Sequence, residues 1–257
     1  MDFPLSRQIA QDLTFVAETG STNADLVANF ANAQDFSVLV AGFQTAGRGR
    51  SGRDWLAPAG SSLFVSVLLK PSLVAANRFS WIPLLAGLAM AKTVAQFLPN
   101  KKVSLKWPND VLVESNKVSG VLSELLPDLS GVVVGAGLNI LQTKAELPIE
   151  AATSLVIEGN SDASIDAVLA GYLQNLKELY ESWVSANGDA VQSGLRKQVI
   201  ESCSTLGLSV KAILPGEQEL LGKAVGIDNT GRLILQPDSG AEVVAVAAGD
   251  IVHLRHN

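Results

Sequence analysis

Three arginines alternate with glycines in residues 47–53, which read GRGRSGR in a chain of formal net charge −6. The guanidinium group of arginine is a planar fork that binds phosphate or carboxylate oxygens in pairs. Glycine has no side chain, so the backbone can come close to a ligand. The segment therefore predicts an anion-binding loop, and the indole of Trp55 just beyond it could stack on a nucleotide base. A solvated basic loop and an RNA-binding Arg/Gly segment remain as alternatives.

The same segment matches the G-x-G-x-x-G fingerprint of dinucleotide-binding proteins. That fingerprint requires a helix directly after the glycines and an acidic residue about twenty positions later. Residues 54–60 (DWLAPAG) do not begin a helix, and residues 70–72 (KPS) contain no acid. We therefore interpret the match as coincidental. Residues 222–223 (GK) likewise lack the flanking glycine and hydroxyl residue of a phosphate-binding P-loop.

Two further clusters contain charged residues or glycines that could take part in ligand binding. Residues 106–110 (KWPND) place an ammonium, a rigid turn and a carboxylate close together, and Lys117 and Gly120 follow on the next predicted strand. Residues 135–140 (GAGLNI) leave room for a flat ligand against the end of a strand. Each feature also has an ordinary structural explanation, because Asn and Asp after Pro are common in turns. Glycines in a strand can equally mark a bulge.

Hydrophobic periodicity predicts a mixed α/β pattern, whose helices and strands position these clusters. A helix begins at Thr22, and Ser21 or Thr22 can cap its free amides. Residues 44–60 predict a long loop, and loops of that length in compact domains are usually functional or disordered. The remaining predicted helices cover residues 78–97, 165–183 and 190–203, and the predicted strands cover residues 37–43, 62–69, 103–106, 111–113, 117–126 and 131–140.

The pattern changes after Gly207. Short alternating segments come next, separated by turn signals at residues 214–216, 228–231 and 237–240. Turn signals at such regular spacing, without a helical period, predict a small all-β barrel. We therefore expect two domains, at residues 1–206 and 207–257.

The composition disfavours several classes of protein. Cys203 is the single cysteine, which forbids an internal disulfide and favours a reducing compartment. The two histidines, His253 and His256, lie in the last five residues, where no motif supports a catalytic triad or a zinc site. The sequence shows no signal peptide and no apolar stretch long enough to span a bilayer, which predicts a cytoplasmic protein without a membrane partner. The acidic balance disfavours a general nucleic-acid binder.

Taken in order, these motifs resemble the biotin protein ligases. The motifs are GSTN at residues 20–23, QTA at 44–46 leading into GRGRSGR and Trp55, KWPND at 106–110, KVSG at 117–120 and GAGLN at 135–139. The resemblance implies an α+β fold with a mixed-sheet catalytic domain of the biotin/lipoate ligase type and a small SH3-like C-terminal β-barrel. It also implies a two-step reaction. Biotin and MgATP form biotinyl-5′-AMP, and a lysine of a biotin carboxyl carrier domain then attacks this mixed anhydride.

The resemblance also implies roles for individual residues. Arg48, Lys117 and Asp110 would be catalytic, and Asp110 would place Mg²⁺ or the incoming lysine. With no histidine nearby, Asp110 is also our candidate general base. The residues that bind biotin would be Ser21, Thr22, Asn23, Gln44, Gly47, Arg48, Arg50 and Gly120. The residues that bind the nucleotide would be Arg50, Arg53, Trp55, Lys117 and Asn139, with Trp55 covering the adenine and Asn139 reading its edge.

Three alternative functions stay open. A lipoate–protein ligase would share the fold and the chemistry, although GRGRSGR together with KWPND favours biotin. A catalytically silent regulatory or nucleotide-sensing module is disfavoured because the arginines and Lys117 are all present. An RNA-binding protein is disfavoured by the net charge. Because the GSTN motif begins at residue 20, we expect no N-terminal helix-turn-helix domain and no DNA partner, and we expect a monomer or a weak homodimer.

Overall fold

The structure is a computed structural model that describes residues 1–10, 12–214, 218–247 and 250–254. It contains a seven-stranded mixed sheet flanked by helices and a separate five-stranded antiparallel sheet near the C-terminus. The α+β fold expected from the sequence is therefore confirmed. Among these residues, no helix is long and apolar enough to cross a membrane.

The elements follow the chain in a simple order. The helices are α1 (Ser6–Ile9), α2 (Thr22–Asn29), α3 (Ile82–Phe97), α4 (Ile165–Ser185) and α5 (Leu195–Ser202). The strands of the larger sheet are β1 (Leu13–Val16), β2 (Val38–Ala41), β3 (Ser62–Leu69), β4 (Val103–Lys106), β5 (Asp110–Val113), β6 (Asn116–Leu125) and β7 (Val132–Asn139). The strands of the C-terminal sheet are β8 (Ser209–Ile213), β9 (Glu219–Ile227), β10 (Leu233–Pro237), β11 (Val244–Val246) and β12 (Asp250–His253).

The larger sheet has the strand order β1-β2-β3-β7-β6-β5-β4. Strands β1 and β2 pair in parallel, and the other pairs are antiparallel. One face carries the main apolar core beneath α3 and α4, including the alternating residues Leu63, Val65, Val67 and Leu69 of β3. Helix α2 packs against β3 and β7 on the opposite face.

Small and polar residues interrupt the apolar pattern of β3 and β7 on the face that α2 covers. Because successive side chains of a strand point to opposite faces, Ser66 of β3 shares a face with Phe64 and lies opposite the core residue Val65. In β7, Gly135 and Gly137 alternate with the core residues Val134 and Ala136 in the same way. All residues of both strands are buried, so these gaps in the apolar pattern are internal positions. The side chain of Asn23 fills the space over Gly135, and the ring of Trp55 fills the space over Gly137.

Two helix predictions differ from the structure at their starts. Residues 76–81 form a 3₁₀ turn, and α3 begins at Ile82 with Pro83 in its first turn. Proline favours this position because its fixed φ suits a helix start and it has no N–H to leave unpaired. The predicted helix 190–203 is confined to α5, because Gly194 before it has φ +74°, a left-handed conformation that no helix continues through. The short elements α1 and β1 were not predicted.

The C-terminal sheet has the order β11-β10-β9-β8-β12. The turns predicted at residues 228–231 and 237–240 fall between β9 and β10 and between β10 and β11. Pro215 and Gly216 of the third predicted turn lie outside the described residues. Within the described part of the chain, the terminal strands β11 and β12 do not pair, so the predicted barrel is an open sheet.

His253 of β12 lies where the C-terminal sheet meets the rest of the chain. Its Nε2 is 3.1 Å from the hydroxyl oxygen of Thr205. Burial, and to a lesser extent the positive charge of Lys106, lower the pKa of His253 to about 4. The other histidine, His256, lies outside the described residues.

We expect the His253→Gln variant to lose less stability than the wild type when the pH falls. An unfolded histidine takes up a proton near its ordinary pKa of about 6.5, whereas folded His253 stays neutral until about pH 4. The free energy of unfolding of the wild type therefore decreases as the pH falls between these two values. Thermal unfolding midpoints at about pH 7 and about pH 5 would measure this slope. Equal slopes for the two proteins would contradict the prediction.

Candidate active site

A cavity of about 480 Å³ lies on the α2-covered face of the larger sheet, beneath the arginine–glycine loop (residues 44–60). Strands β6 and β7 form its floor, the start of α2 forms one wall, and residues 148–152 line another part. Of the predicted site residues, those that line the cavity are Ser21, Thr22, Asn23, Gln44, Arg48, Arg50, Arg53, Trp55, Lys117, Gly120 and Asn139. Gly47 and Asp110 are not among the lining residues, and both contact residues that are.

One end of the cavity is a buried network of neutral polar side chains. Ser21 caps α2, with its hydroxyl accepting from the Ala24 amide at 3.5 Å. Gln44 Oε1 accepts from both the amide (2.9 Å) and the hydroxyl (3.1 Å) of Thr22. Because these groups are at least 90% buried and buried polar groups need partners, the network holds its side chains in fixed orientations.

Asn23 and Ser66 complete this network. The hydroxyl of Ser66 lies 2.6 Å from Asn23 Oδ1 and 2.7 Å from Thr22 Oγ1. The amide nitrogen of Asn23 donates to the Leu122 carbonyl at 3.1 Å and to Glu124 Oε1 at 2.9 Å. Asn23 thus joins α2 to β6 as well as to β3, and its side chain has little freedom to move.

The other end of the cavity carries the positive charge. Lys117 Nζ forms a 2.6 Å ion pair with Asp110 Oδ1, across the pairing of β6 with β5. Arg48 Nη2 is 3.8 Å from Glu124 Oε1, the oxygen that also accepts from Asn23, so Arg48 lies where the cationic part of the cavity meets the polar network. Arg50 Nη1 donates to Asn109 Oδ1 at 3.1 Å. The cations predicted from separate motifs therefore converge on one site, each held by a neighbouring oxygen.

The arginine–glycine loop folds back on itself as a short irregular hairpin. The Trp55 amide donates to the Gly47 carbonyl at 2.9 Å, and the Gly49 amide donates to the Arg53 carbonyl at 2.7 Å. A Cβ on Gly47 would lie 2.3 Å from the Trp55 carbonyl oxygen, so only glycine permits this crossing. The structure thus places Gly47 in the loop's own backbone contacts, where it shapes the loop that presents the arginines.

Trp55 packs on a floor made of two glycines. A Cβ on Gly137 would lie 2.3 Å from the Trp55 ring, and a Cβ on Gly120 would lie 3.1 Å from it. Lys117 Nζ is 5.4 Å from the centre of the same ring, within the range of a cation–π contact. Within the described residues the buried indole nitrogen has no hydrogen-bond partner. The ring of Trp55 therefore contacts Lys117 as well as the two glycines.

Asn139 is buried at the end of β7, and its amide is engaged within the chain. Its nitrogen donates to the Thr153 carbonyl at 3.0 Å, and its oxygen accepts from Gln142 Nε2 at 3.0 Å. An amide nitrogen has two N–H donors, so one of them is accounted for by Thr153. The predicted contact of Asn139 with adenine stays a prediction.

Sequence reasoning missed Ser66, Glu124, the role of Asn109 and the segment at residues 148–152. A signal existed for Ser66, which is a serine on the face of β3 opposite the core residues. Glu124 had no comparable signal, because it looks like an ordinary polar residue near a strand end. The segment at residues 148–152 has no motif, and its position depends on pairing with β6 through Lys117 and Ala152.

The described residues contain no group of three or more Asp, Glu, His or Cys side chains arranged to hold a metal ion. The predicted metal residue Asp110 is a single carboxylate, and it already pairs with Lys117. Mg²⁺ in nucleotide sites is usually held by one or two carboxylates together with substrate phosphates. These residues therefore do not fit a resident metal centre of their own.

The fold and the cavity define a class of protein: α+β proteins in which an Arg/Gly loop lies over an anion-binding cavity on one face of a mixed sheet. Residues 15–139 match the model of the biotin/lipoate A/B protein ligase family, and residues 205–254 match that of the biotin protein ligase C-terminal domain. The chain belongs to this family, as one of its biotin protein ligases. The resemblance stated from the motifs is thereby confirmed.

Relatives cover nearly the whole chain. A biotin–[acetyl-CoA-carboxylase] ligase of Mycobacterium tuberculosis is 39% identical over 249 residues, which is 95% of this chain and 90% of the relative. The enzyme of the same name from Paracoccus denitrificans is 30% identical over 244 residues, covering 90% of this chain and 97% of the relative. The solved biotin protein ligase of Aquifex aeolicus in complex with biotin and ATP is 29% identical, with a TM-score of 0.78 over 96% of this chain and 100% of that chain.

Proposed function

We propose that this chain attaches biotin to a lysine of a biotin carboxyl carrier domain, in two steps through biotinyl-5′-AMP. One observation supports this function above the others. A single cavity is lined both by the buried hydrogen-bonding side chains and by the cationic side chains, and the ring of Trp55, which packs on Gly120 and Gly137, also lines it. This arrangement suits a ligand with a polar head and an anionic tail. Relatives that are biotin ligases by name, and one solved with biotin and ATP, support it further.

The neutral polar end favours biotin over lipoate. The ureido head of biotin carries two N–H donors and a carbonyl acceptor, whereas the dithiolane ring of lipoate carries only weakly hydrogen-bonding sulfurs. Ser21, Thr22, Asn23 and Gln44 offer both donors and acceptors to such a head. A site built to hydrogen-bond its substrate rejects an analogue without those groups, because its own polar atoms are then left unpaired.

The cationic end serves the first step. A carboxylate oxygen of biotin attacks the α-phosphorus of MgATP, the bond from that phosphorus to the bridging oxygen breaks, and pyrophosphate leaves. Two anions must meet, so fixed positive charge is needed where negative charge develops. Arg48 would bind the carboxylate, Arg50 and Arg53 would hold phosphates, and Lys117 would bind the acyl-phosphate oxygens. Mg²⁺ arrives in this scheme with ATP, as part of the substrate.

The second step joins the acyl group to the acceptor. The neutral amine of the carrier lysine attacks the carbonyl carbon of biotinyl-5′-AMP, AMP leaves, and the amine loses a proton. A lysine at its ordinary pKa is about 0.1% neutral near pH 7.4, a handicap of about 4 kcal/mol. Positioning of the amine beside the activated anhydride could offset this, since orientation contributes at most about 7–11 kcal/mol.

Asp110 would serve both steps through Lys117. In the structure it orients the ammonium group at 2.6 Å. When Lys117 turns toward the acyl-phosphate oxygens, the carboxylate of Asp110 loses this partner and can accept the proton of the incoming lysine. We retain Asp110 as the candidate general base on this ground.

The same proposal extends to partners and location. The protein substrate would be a biotin carboxyl carrier domain, and the small-molecule substrates would be biotin and MgATP. Three statements stay predictions from the sequence: that the protein does not bind DNA, that it is a monomer or a weak dimer, and that it is cytoplasmic. A gel shift that retained one defined DNA at high salt would contradict the first of them.

Calorimetric titration with biotin, with lipoate and then with MgATP tests this function most directly. We expect heat on titration with biotin and none with lipoate. In a separate ATP–pyrophosphate exchange assay, we expect exchange only when biotin is present. Exchange driven by lipoate would establish the lipoate alternative. Binding of a nucleotide without any biotin-dependent exchange would establish the silent nucleotide-sensing module instead.

Arg50→Ala is expected to lower biotin-dependent pyrophosphate exchange by about 100-fold, the usual loss for one charge-stabilising donor. Arg50 lies in a loop and outside the apolar core, so its free energy of unfolding should change by less than about 1 kcal/mol. Arg78→Ala is the matched control, because Arg78 is a surface arginine paired with Asp189. A loss of stability in proportion to the loss of exchange would show that Arg50 has a structural role only.

A further inference from the structure

Three hydrogen bonds hold the turn between β9 and β10, residues 228–232, against the part of the molecule that contains the larger sheet. We call it the docking turn. Trp81 Nε1 donates to the Asn229 carbonyl at 2.8 Å, Ser80 Oγ donates to the Thr230 carbonyl at 2.9 Å, and Trp107 Nε1 donates to the Gly231 carbonyl at 3.0 Å. Three successive carbonyls of the docking turn are therefore all bound by side chains from outside the C-terminal sheet.

The docking turn is also held by hydrogen bonds of its own. The carboxylate of Asp228 accepts from the amides of Thr230 and Arg232, at 2.8 and 3.0 Å, and from Arg232 Nε at 2.6 Å. Gly231 has φ +84°, and a Cβ there would lie 3.2 Å from Leu84 Cδ1. The turn thus has a fixed shape and a close fit.

Trp107 differs from Trp81 because the chain beyond it leads directly to the active site. Two residues after Trp107, Asn109 is bound to β6 by its side chain, which donates to the Val121 carbonyl at 3.0 Å, and by its backbone carbonyl, which accepts from the Val121 amide at 2.9 Å. Its side-chain oxygen accepts from Arg50 at 3.1 Å. The segment from Trp107 to Asn109 therefore spans the distance between the docking turn and an arginine of the active-site cavity.

A second cavity, of about 160 Å³, lies along this segment. Its lining includes Trp107, Pro108, Asn109 and Arg50, together with Gly231 of the docking turn. Arg50 and Asn109 also line the main cavity. Space therefore adjoins Asn109 and Arg50 on both sides, and the hydrogen bonds described above are among the contacts that hold them in place.

We propose that Trp107 is a positioning residue for the nucleotide end of the active site. The docking turn holds its indole, the indole fixes the segment from Trp107 to Asn109, and Asn109 holds Arg50 where phosphates bind. The C-terminal sheet thereby acts on nucleotide binding through Trp107. This inference rests on the role of Arg50 given in the proposed function.

The test compares Trp107→Phe with Trp81→Phe. Both indoles are almost fully buried, at 2% and 1% exposure, and both donate to the docking turn, so each variant loses one equivalent hydrogen bond. We expect similar decreases in thermal unfolding midpoint. We expect Trp107→Phe alone to raise KM for MgATP, by about tenfold, because a small misplacement of a catalytic group is costly. The dissociation constant of biotin should stay unchanged in both variants.

Two further variants keep the proposal falsifiable if Trp107→Phe folds poorly. Asp228→Asn loosens the docking turn from the opposite side of the contact, and it should raise KM for MgATP as Trp107→Phe does. In an Arg50→Ala background, Trp107→Phe should have no further effect on KM, since both act on one contact. Equal KM values in the Trp107, Trp81 and Asp228 variants would overturn the proposal, as would a full additional effect of Trp107→Phe in the Arg50→Ala background. If Arg50→Ala itself left nucleotide binding unchanged, the role of Arg50 in the proposed function would fail instead.

Discussion

Lys117→Gln is expected to lower biotin-dependent pyrophosphate exchange by about 100- to 1,000-fold, the range seen when one preorganised charge is removed from a reaction centre. Lys117 is the lysine that lines the cavity, and it lies between Asp110 and the ring of Trp55. Glutamine keeps much of the side-chain length and a donor but removes the charge. The effect should fall on the chemical step, because negative charge grows on the acyl-phosphate oxygens only as the anhydride forms.

Biotin affinity provides the internal check on Lys117. We expect the dissociation constant of biotin alone to stay within about threefold of wild type. Removal of a contact that is made only in the transition state lowers the rate of the reaction without weakening substrate binding. Lys197→Gln is the matched control, because Lys197 is 80% exposed on α5 and away from the cavity. Exchange rates within about twofold of wild type for Lys117→Gln would contradict a role for its charge.

Gly135→Ala is expected to weaken biotin binding by about 100-fold or more. A Cβ at this position would lie 2.2 Å from Asn23 Oδ1 and 2.8 Å from Asn23 Cγ. Asn23 cannot rotate away without breaking its hydrogen bonds to Ser66, Leu122 and Glu124. The added methyl group therefore disrupts the neutral polar end of the cavity, and a displacement of about 1 Å in a positioning group can cost about 100-fold.

Gly226→Ala is the control for Gly135→Ala. Gly226 also lies within a strand, but a Cβ there would make only an ordinary contact, 3.7 Å from Ile234. Titration calorimetry with biotin measures the expected loss, and circular dichroism shows whether each variant is folded. A folded Gly135→Ala protein with wild-type affinity for biotin would mean that the Asn23 network is not part of the biotin site.

The charged half of the site was predictable from the sequence because its chemistry is contained in local motifs. The arginine loop combines charge and glycine within seven residues, and Lys117 comes shortly after a compact motif, KWPND. Periodicity predicted the bounds of β5, β6 and β7 to within a residue or two. The pairing of these strands, on which the convergence of the cations depends, was not predicted.

The neutral half was only partly predictable, because its hydrogen bonds join residues far apart in the chain. Ser66 lies 43 residues from Asn23 and 44 from Thr22, and Glu124 lies 101 residues from Asn23. No spacing rule covers such contacts, which arise from how α2 packs across β3 and β7. The same reasoning explains the missed docking turn, whose turn signal was correct but whose binding partners Trp81 and Trp107 had no visible link to it.

The cations of the cavity already have resident partners, and this has a consequence for selectivity. A lone inorganic phosphate ion that bound Lys117 or Arg48 would compete with the carboxylate of Asp110 or of Glu124, exchanging one anion for another at little gain. A single ligand that carries several oxygens displaces both carboxylates at once, and it loses its translational and rotational freedom only once. We therefore expect small anions such as inorganic phosphate to compete weakly for Lys117 and Arg48.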